Sequence, residues 1–404
     1  MTVLLLGWKS GFAEILPMLG LRFVVVLGNE EREKYDVRAI DCGEIIHVRD
    51  ISDAGRLLPA LARAGLADEK FTHVHTDHEF AIVPAALLAR HFGSAGMPVH
   101  TAMLSRDKWL QKQAVARSDV RVPWHVLLPD DPVVRNRLLD EIPYPALLKP
   151  ISSASGRNTG PVSDSADVRR ALAAVRPEAL DTEAFLLEEI IEGTELHADG
   201  LIREGRVEFV SVSRYRAHVL EARKSAAVSS TVLDPRRHGP LYDRVREVAE
   251  RSMAAMRLAD SAFHLEVFQS DGGLIFSECG ARTGGSLITE MVEAKFGVQL
   301  RRHALAMAFD QPVDVHPRLD ERTFTWSYLP APAGQVRAVP THGELYRLPG
   351  VVRAETVTVI PPEPADKPRR LGLALVEGAD EQDAERRMDA VVAWFRDHVK
   401  VDGP

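Results

Sequence analysis

The chain is poor in cysteine, with Cys42 and Cys279 as the only two among 404 residues. Two cysteines cannot build a disulfide framework or a thiolate metal site, and their scarcity is typical of a reducing compartment. Long hydrophobic runs are also missing, since the first one, TVLLLG, is followed at once by WKSGF. A run of that length is too short for a signal sequence or a membrane span. We therefore expect a cytoplasmic protein with no membrane partner.

Positive charge is not in excess either. Lysine and arginine total 50 against 58 aspartate and glutamate residues, which gives a formal net charge of -8. Because no dense Lys/Arg run offsets this balance, we expect no nucleic-acid partner. The chain is 45% apolar and 27% charged, as globular proteins are, and its length predicts two to four packed units.

The first hundred residues alternate short β-type runs with helix-compatible segments, which predicts a parallel α/β sheet. Gly7 and Gly11 suit a tight turn after the first strand, but the G-x-G-x-x-G pattern is absent, so a nicotinamide site is disfavoured. Prolines punctuate the chain after residue 105, and strands dominate from 185 to 286. Helical segments follow over roughly 287–309, and the last ninety residues predict strands and a final amphipathic helix.

The stretch FHLEVFQSDGGLIFSECGARTGGS places two glutamates on consecutive β-type runs. If residues 271–273 form a three-residue hairpin loop with a glycine at positive φ, Ser270 pairs with Leu274. The same register sets Glu266 directly opposite Glu278. Like charges in opposed positions destabilise a hairpin, so something must relieve their repulsion.

Both faces of this hairpin are apolar, with Phe268 opposite Phe276 on the glutamate face and Leu265, Val267, Ile275 and Cys279 on the other. Burial strengthens the repulsion, so either one carboxylate is protonated or a cation lies between the two. Mg2+ is the natural ion for a pair of carboxylates. An exposed hairpin with solvated glutamates is the open alternative.

An arginine and two glycines follow this pair. Arg282 suits bidentate binding of a carboxylate or phosphoryl group, and Gly284 and Gly285 let a backbone approach that group closely. The alternative for Arg282 is a salt bridge back to Glu278.

Two further segments contain groups suited to a nucleotide. YPALLKPISSASGRNTG places Lys149 at a strand end before a loop whose backbone N–H groups can form an anion nest. The Walker A order is absent, and an ordinary connection is equally open. LLEEIIEGTELHADG contains Glu188, Glu189 and Glu195, which fit either a solvated strand edge or contacts to a base and ribose.

In order and spacing, these segments resemble the ATP-grasp superfamily of carboxylate-amine ligases over roughly residues 1 to 310. The resemblance implies an α/β ATP-grasp fold. Its predicted parts are an N-terminal Rossmann-like pre-ATP-grasp domain at 1–104, a lid region at 105–187, a central metal-binding region at 188–310 and a small α+β C-terminal domain at 311–404.

The resemblance also implies site residues. Those for the nucleotide phosphates are Lys108 in SRDKWLQKQ, Lys149, and the loop residues Ser152, Ser153, Ser155 and Gly156. Those for the adenine and ribose are Glu188, near the adenine amino group, the backbone of Glu189, Ile190 and Ile191, and Glu195 for the ribose. Glu266 and Glu278 would hold Mg2+, and Arg282 would hold the acyl phosphate or acceptor carboxylate. Gly280 stands where the family often has asparagine, which leaves open whether one or two Mg2+ ions bind. Mn2+ is the alternative ion.

The E-x-x-x-R-x-G-G tail and the small C-terminal domain are most similar to bacterial L-amino acid (dipeptide) ligases. This implies an enzyme that uses ATP and Mg2+ to join two amino acids, or an amino acid and a small amine, through an acyl phosphate, releasing ADP and phosphate. These small molecules would be its partners, and a homodimer is left open. The alternatives are an ATP-grasp carboxylase or purine-type ligase with another nucleophile, and a nucleotide-binding module without turnover.

Three features stay ambiguous in the sequence. Glu79 either binds a substrate amino group or caps its helix, and capping is favoured. His264 shares the face of Glu266 and is expected to be a structural histidine. The basic residues of one segment either anchor a substrate carboxylate or belong to a solvated loop: Arg214, Arg216, Arg223 and Lys224.

Overall fold

The computed structural model describes residues 1–35, 43–153, 158–175, 184–224, 227–358 and 369–402. Ser155 and Gly156 of the predicted phosphate loop lie outside these ranges, and the description does not extend to the side chains of Arg223 and Lys224. Within these ranges, no helix combines the length and the apolar character needed to cross a membrane.

The N-terminal part is a parallel sheet with strand order β3-β2-β1-β4, as predicted. Its strands are rich in Val, Leu and Ile because helices cover both faces of such a sheet. Gly7 and Gly11, with φ of 80° and 84°, form the turn into the first helix. The strands are β1 (Thr2–Leu6), β2 (Arg22–Leu27), β3 (Gly43–His47) and β4 (Phe71–Thr76). The helices are α1 (Phe12–Met18), α2 (Asn29–Lys34), α3 (Ala54–Arg63), α4 (Ile82–Phe92), preceded by a 3-10 turn at Glu79–Ala81, and α5 (Val99–Leu104).

A second, antiparallel sheet of four described strands has the order β5-β8-β6-β7 and follows helix α6 (Lys108–Val115). Two helices pack onto it through the buried side chains of Leu139 and Val168. The strands are β5 (His125–Leu127), β6 (Ala146–Pro150), β7 (Gly160–Val162) and β8 (Phe185–Glu189), and the helices are α7 (Pro132–Leu139) and α8 (Ser165–Ala174).

The largest sheet, which we call the central sheet, has eight described strands in the antiparallel order β13-β12-β9-β10-β11-β14-β17-β16. The longest helix, α10 (Pro235–Ala255), joins its core through Val245, Ala249 and Met253. The strands are β9 (Thr194–Arg203), β10 (Arg206–Tyr215), β11 (Ser229–Val232), β12 (Ser261–Ser270), β13 (Gly273–Gly280), β14 (Thr323–Pro330), β16 (Val351–Thr356) and β17 (Arg370–Gly378), while β15 (Val336–Ala338) pairs with β18 (Lys400–Val401). The other helices are α9 (Val219–Lys224), α11 (Ile288–Phe296), α12 (Leu300–Ala308), α13 (His342–Leu345) and α14 (Glu381–His398).

The sheets run across two of the domain limits predicted from the sequence. Strands β14, β16 and β17 extend the central sheet beyond the limit at 310, and β8 continues past the limit at 187. The four predicted domain ranges therefore stay a proposal.

The hairpin of β12 and β13 sets Glu266 directly opposite Glu278, as predicted. It reaches this pairing by a different route, because a bulge at Ser277 adds one residue to β13 just before Glu278. The carbonyl of Ser277 accepts a hydrogen bond from the buried ammonium group of Lys112 on α6. A side chain of α6 therefore binds the backbone at the bulge.

Between the bulge and the turn, the predicted register is wrong by one residue. Leu274 pairs with Gln269, and Phe268 pairs with Ile275 instead of Phe276. Ile275 consequently shares the glutamate face and Phe276 lies on the opposite one, the reverse of the prediction. A bulge cannot be counted from strand-forming residues alone, which is why the register near the turn was missed.

Gly200 lies in β9 between β10 and β12, where a side chain has no room. A Cβ there would collide with the carbonyl oxygen of Phe209 and the ring of Phe263. We expect Gly200→Ala to lower the free energy of unfolding, measured by urea denaturation, by about 2 kcal/mol or more, because the sheet backbone cannot move aside. Gly239→Ala is the control, since nothing lies within 4 Å of its Cβ. Equal stability of the two variants would contradict the packing described here.

Candidate active site

A cavity of about 500 Å³ lies between the second sheet, the central sheet and the start of α6. Most residues predicted for the nucleotide, the metal and the acceptor line it: Glu79, Lys108, Lys149, Ser153, Glu188, Glu189, Ile190, Ile191, Glu195, Glu266, Glu278, Arg282 and Gly285. Ser152 and Gly284 lie outside the lining. Segments that are far apart in the sequence thus meet at one cavity.

The opposed carboxylates of Glu266 and Glu278 are each bound by protein side chains. Lys108 Nζ lies 2.9 Å from Glu278 Oε2. The hydroxyl of Tyr215 donates to Glu266 Oε1 over 3.2 Å, and His264 Nε2 lies 3.5 Å from the same oxygen. Side chains therefore relieve the repulsion here, a solution that the sequence argument missed when it considered only a proton or a metal ion.

The charge on Glu278 fits the predicted divalent ion. Burial raises the pKa of this carboxyl group, but the ammonium groups of Lys108 and Lys149 outweigh burial and lower the pKa to about 2. The carboxylate is ionised at neutral pH, and Lys108 shows that a cation fits against it. Carboxylate oxygens are ligands that Mg2+ prefers. Glu266 and Glu278 are therefore suited to hold Mg2+, and their role as its ligands remains a proposal.

The glycine at position 280 lies beside the ion pair of Arg282 and Glu79. A Cβ on Gly280 would lie 3.5 Å from Arg282 Cγ and 3.5 Å from Glu79 Oε2, which is ordinary van der Waals contact. Gly280 itself offers no side-chain oxygen to a metal ion. Since Mg2+ commonly keeps water in its coordination shell, we expect water or substrate to supply further ligands.

Glu188 is enclosed by two lysines. Lys149 Nζ lies 2.6 Å from Glu188 Oε1, and Lys112 Nζ lies 3.3 Å from Oε2. Burial lowers the pKa of Lys112 to about 8 against the opposing charge of Glu188. Burial also acts to lower the pKa of Lys149, but Glu188 and Glu278 outweigh it and raise that pKa. Because its carboxylate is bound by ammonium groups, Glu188 would meet an adenine through its backbone, not through a free carboxylate.

Lys112 was not predicted from the sequence, although a signal for it was present in its spacing from Lys108. Asp107 caps α6 by accepting hydrogen bonds from the N–H groups of Trp109 and Leu110, so the helix begins at Lys108. Residues four apart on a helix share a face, so Lys108 and Lys112 reach two neighbouring carboxylates, Glu278 and Glu188 respectively. The spacing in SRDKWLQKQ could therefore have identified both lysines.

The end of β8 and the residues after it form the side of the cavity predicted for the base and ribose. Glu195 accepts a hydrogen bond from the N–H group of Val219 over 2.8 Å, and His218 Nδ1 lies 3.7 Å from the same carboxylate. The His218 ring stacks on Phe268 with 6.0 Å between ring centroids. Neither His218 nor Phe268 was predicted to line the nucleotide side of the cavity, because aromatic rings at these positions are equally typical of a core.

Arg282 and Glu79 form a half-buried ion pair that joins the segment after β13 to the segment after β4. Arg282 Nε and Arg106 Nη1 both donate to the Glu79 carboxylate, and Arg106 Nη2 donates to the carbonyl of Ser152. The capping interpretation of Glu79 is wrong, since no side chain caps its turn. The alternative for Arg282 is also wrong, because its partner is Glu79 and not Glu278. Arg106 was overlooked.

A second contact ties the same loop to the N-terminal sheet. Asp77 accepts hydrogen bonds from the N–H group of Thr283 over 2.8 Å and from its hydroxyl over 2.6 Å. Asp77 and Glu79 follow β4, at the carboxyl edge of the parallel sheet where ligand sites of such sheets are commonly built.

Gly284 is glycine because a carboxylate lies against it. A Cβ there would collide with Asp199 Oδ1. Asp199 bridges His197 Nδ1 at 2.6 Å and His264 Nδ1 at 2.8 Å, so His264 is a satisfied structural histidine, as predicted. Burial lowers the pKa of His264, but the charge of Asp199 outweighs it and raises the pKa to about 10. These three side chains lie close enough to hold a metal ion, yet their hydrogen bonds already join them to one another.

The basic segment is tied to α14. Arg214 Nη2 lies 2.8 Å from Glu385, and Arg216 Nη2 lies 2.8 Å from Asp389. These two arginines are therefore engaged within the protein and are not free to bind a substrate.

The far end of the cavity comes from β14 and β17, which the sequence reading did not connect with the site. Trp326, Tyr328 and Arg370 line it. The Arg370 guanidinium lies 3.8 Å from the centroid of the Tyr328 ring, whose hydroxyl accepts a hydrogen bond from Ser286 over 2.6 Å.

Residues 142–290 match the ATP-grasp domain family. This segment contains Lys149, Glu188, both opposed glutamates and Arg282, but it omits Lys108. With the sheets and the cavity described above, the match shows that the chain carries an ATP-grasp domain and has an ATP-grasp fold. The fold predicted from the sequence is confirmed.

Among known proteins, the chain is similar to L-amino acid ligases. It is 24% identical over 292 residues to an L-arginine-specific L-amino acid ligase of Bacillus subtilis. The aligned region covers 70% of this chain and 69% of that protein. Its structure is similar to that of an L-amino acid ligase from Bacillus licheniformis, with a TM-score of 0.79, 16% identity and coverage of 100% and 99% of the two chains. It also resembles N5-carboxyaminoimidazole ribonucleotide synthetase from Thermus thermophilus, with a TM-score of 0.69, 19% identity and full coverage of both chains. The resemblance drawn from the sequence is confirmed.

We expect Glu79→Gln to reduce stability at neutral pH but much less in acid. Burial raises the pKa of Glu79, but Arg282 and Arg106 outweigh burial and lower the pKa to about 2, below the ordinary value of 4.5. The stabilisation is therefore present above about pH 4.5 and is lost as the pH falls toward 2, and a shift of this size corresponds to about 3 kcal/mol.

The measurement is urea unfolding of both proteins between about pH 7 and pH 3. The gap between wild type and variant should narrow below about pH 4.5. Glu14→Gln, at an exposed position of α1, is the control and should show no such narrowing. A gap of constant size over this range would contradict the ion-pair assignment.

Proposed function

We propose that the protein is an ATP-dependent ligase that joins a carboxylate to an amine through an acyl phosphate and releases ADP and phosphate. The observation that carries this proposal is the single cavity in which Glu266 and Glu278 face Lys108 and Lys149, with Arg282 beside them. The likeness to L-amino acid ligases supports amino acids as the carboxylate substrate and amino acids or small amines as the second substrate.

In the first step, a carboxylate oxygen of the substrate attacks the terminal phosphorus of ATP. The new O–P bond forms as the bond to ADP breaks, and ADP leaves with the electron pair. Lys149 and Lys108 lie where they can neutralise phosphate charge, and Arg282 can orient the acceptor carboxylate. Mg2+ held by Glu266 and Glu278 would supply further positive charge against the phosphate oxygens.

In the second step, the uncharged amine attacks the acyl carbon. The C–N bond forms, the C–O bond to phosphate breaks, and the nitrogen proton leaves with phosphate as HPO4 2-. Arg282, whose pKa is raised by Glu79 despite burial, stays charged and can stabilise the oxyanion that develops at the acyl carbon.

The nucleotide contacts predicted from the sequence are part of this proposal. Glu195 and the backbone of Glu189, Ile190 and Ile191 are proposed to bind the ribose and the base, with His218 and Phe268 as aromatic neighbours. Glu79 is proposed to act by holding Arg282, which replaces its predicted contact with a substrate amino group. A cytoplasmic location and a homodimer stay predictions of the sequence.

The proposal is tested by incubating the protein with ATP, Mg2+ and a panel of amino acids, with hydroxylamine as the amine. The expected products are an amino acid hydroxamate and ADP in equal amounts. Formation of AMP would contradict an acyl phosphate. ADP formation that depends on bicarbonate would favour a carboxylase instead, and tight ATP binding without turnover on any substrate would favour a nucleotide-binding module.

We expect Glu278→Gln to lower the rate of ADP formation about 100-fold or more, because the change removes one charge from the proposed metal pair without changing the shape of the side chain. Isothermal titration of the variant with MgATP and its urea unfolding curve separate lost chemistry from lost folding. Glu33→Gln, at an exposed position of α2, is the control. A wild-type rate in Glu278→Gln would rule out Glu278 as a metal ligand.

A further inference from the structure

A second cavity, of about 750 Å³, lies between β4 of the N-terminal sheet and the central sheet. His75 and Asp77 form one side of it, and Ala304 and Ala308 of α12 form another. Arg282 is the one described residue that lines both this cavity and the first. The guanidinium group therefore marks the place where the two cavities meet.

Arg282, which lines both cavities, is fixed by contacts to the residues that follow β4. It donates a hydrogen bond to Glu79, and the neighbouring Thr283 donates one to Asp77. Glu79 lines the first cavity and Asp77 the second. Arg282 and its carboxylate partner therefore lie at the boundary between the two spaces.

The proposed reaction needs a route by which the amine reaches the acyl carbon. Much of the first cavity is lined by the groups assigned to ATP and Mg2+, and Arg282 is assigned to the acceptor. The amine must reach the acyl carbon while ADP still occupies the nucleotide part of that cavity. A path on the other side of Arg282 meets this requirement without displacing the nucleotide.

The lining of the second cavity suits a small molecule that carries both an amine and a carboxylate. Its rim contains the exposed Arg257, which has no ion pair with any carboxylate of the described ranges. Further inside, His75 makes no side-chain hydrogen bond within the described part of the chain, and burial lowers its pKa to about 4. A neutral imidazole at pH 7 can accept a hydrogen bond from an ammonium group.

We propose that the second cavity admits the amine substrate, an amino acid whose carboxylate first meets Arg257 at the rim and whose nitrogen then passes Arg282 to reach the acyl carbon. This inference rests on the proposed ligase function. It assigns the amine a binding site distinct from that of the nucleotide.

The test narrows the second cavity without touching the first. Ala304→Trp places an indole on α12 toward the cavity, and Arg302→Trp, at an exposed position of the same helix, is the matched control. With an amino acid as the amine, we expect the KM for the amine to rise about tenfold or more in Ala304→Trp only. The KM for ATP and hydroxamate formation with small hydroxylamine should stay within about twofold of wild type.

An unchanged KM for the amino acid amine in a folded Ala304→Trp protein overturns the inference. A loss of hydroxamate formation in this variant as large as its loss of the reaction with an amino acid also overturns it. If wild type itself forms no hydroxamate and no ADP, the proposed function fails instead, so the two failures are distinguishable.

A second variant covers the case in which Ala304→Trp does not fold. Arg257→Ala removes only an exposed side chain. We expect it to raise the KM for an amino acid about tenfold and to leave the KM for the corresponding amino acid amide within about twofold, since the amide lacks the carboxylate. Equal KM changes for the two amines, or no change for either, overturn the role of Arg257 and of the cavity rim.

Discussion

The opposed carboxylates of Glu266 and Glu278 are the constraint around which the site is organised. Two half-buried negative charges on facing strands are stabilised by cations and donors that reach them from other parts of the chain. Nearby, Glu188 binds Lys149 and Lys112, so the ammonium groups of the site are already matched by carboxylates of the protein. The polyphosphate of the proposed nucleotide would bring several more negative charges. A divalent ion held as proposed would supply the additional positive charge compactly.

The same charge pattern explains why the site spans several elements. Lys108 and Lys112 come from one helix, Lys149 from the second sheet, and the glutamates from the central hairpin. Arg282 adds the N-terminal sheet through Glu79. No single element contains a set of charges that is balanced alone, so each depends on the others for a tolerable buried state.

The sequence predicted the parts of the structure that depend on local pattern. Strand runs, the parallel N-terminal sheet and the final helix follow from period and composition, and Lys149 follows from its place at a strand end. The sequence could not predict the bulge at Ser277, because the carbonyl group there is bound by the ammonium group of Lys112, which is distant in the chain. It also missed the pairing of Arg282 with Glu79, since sequence favours near neighbours such as Glu278 as partners.

The segment that matches the ATP-grasp family does not contain all the charge partners of its own residues. Residues 142–290 contain both hairpin glutamates and Arg282, yet their partners Lys108 and Glu79 lie upstream of it. A fragment trimmed to the matched segment would keep Tyr215, His264 and Lys149, but it would take Lys108 away from Glu278 and leave Arg282 without its carboxylate. The segment that sequence similarity recognises is thus smaller than the set of residues that balances the charges of the site.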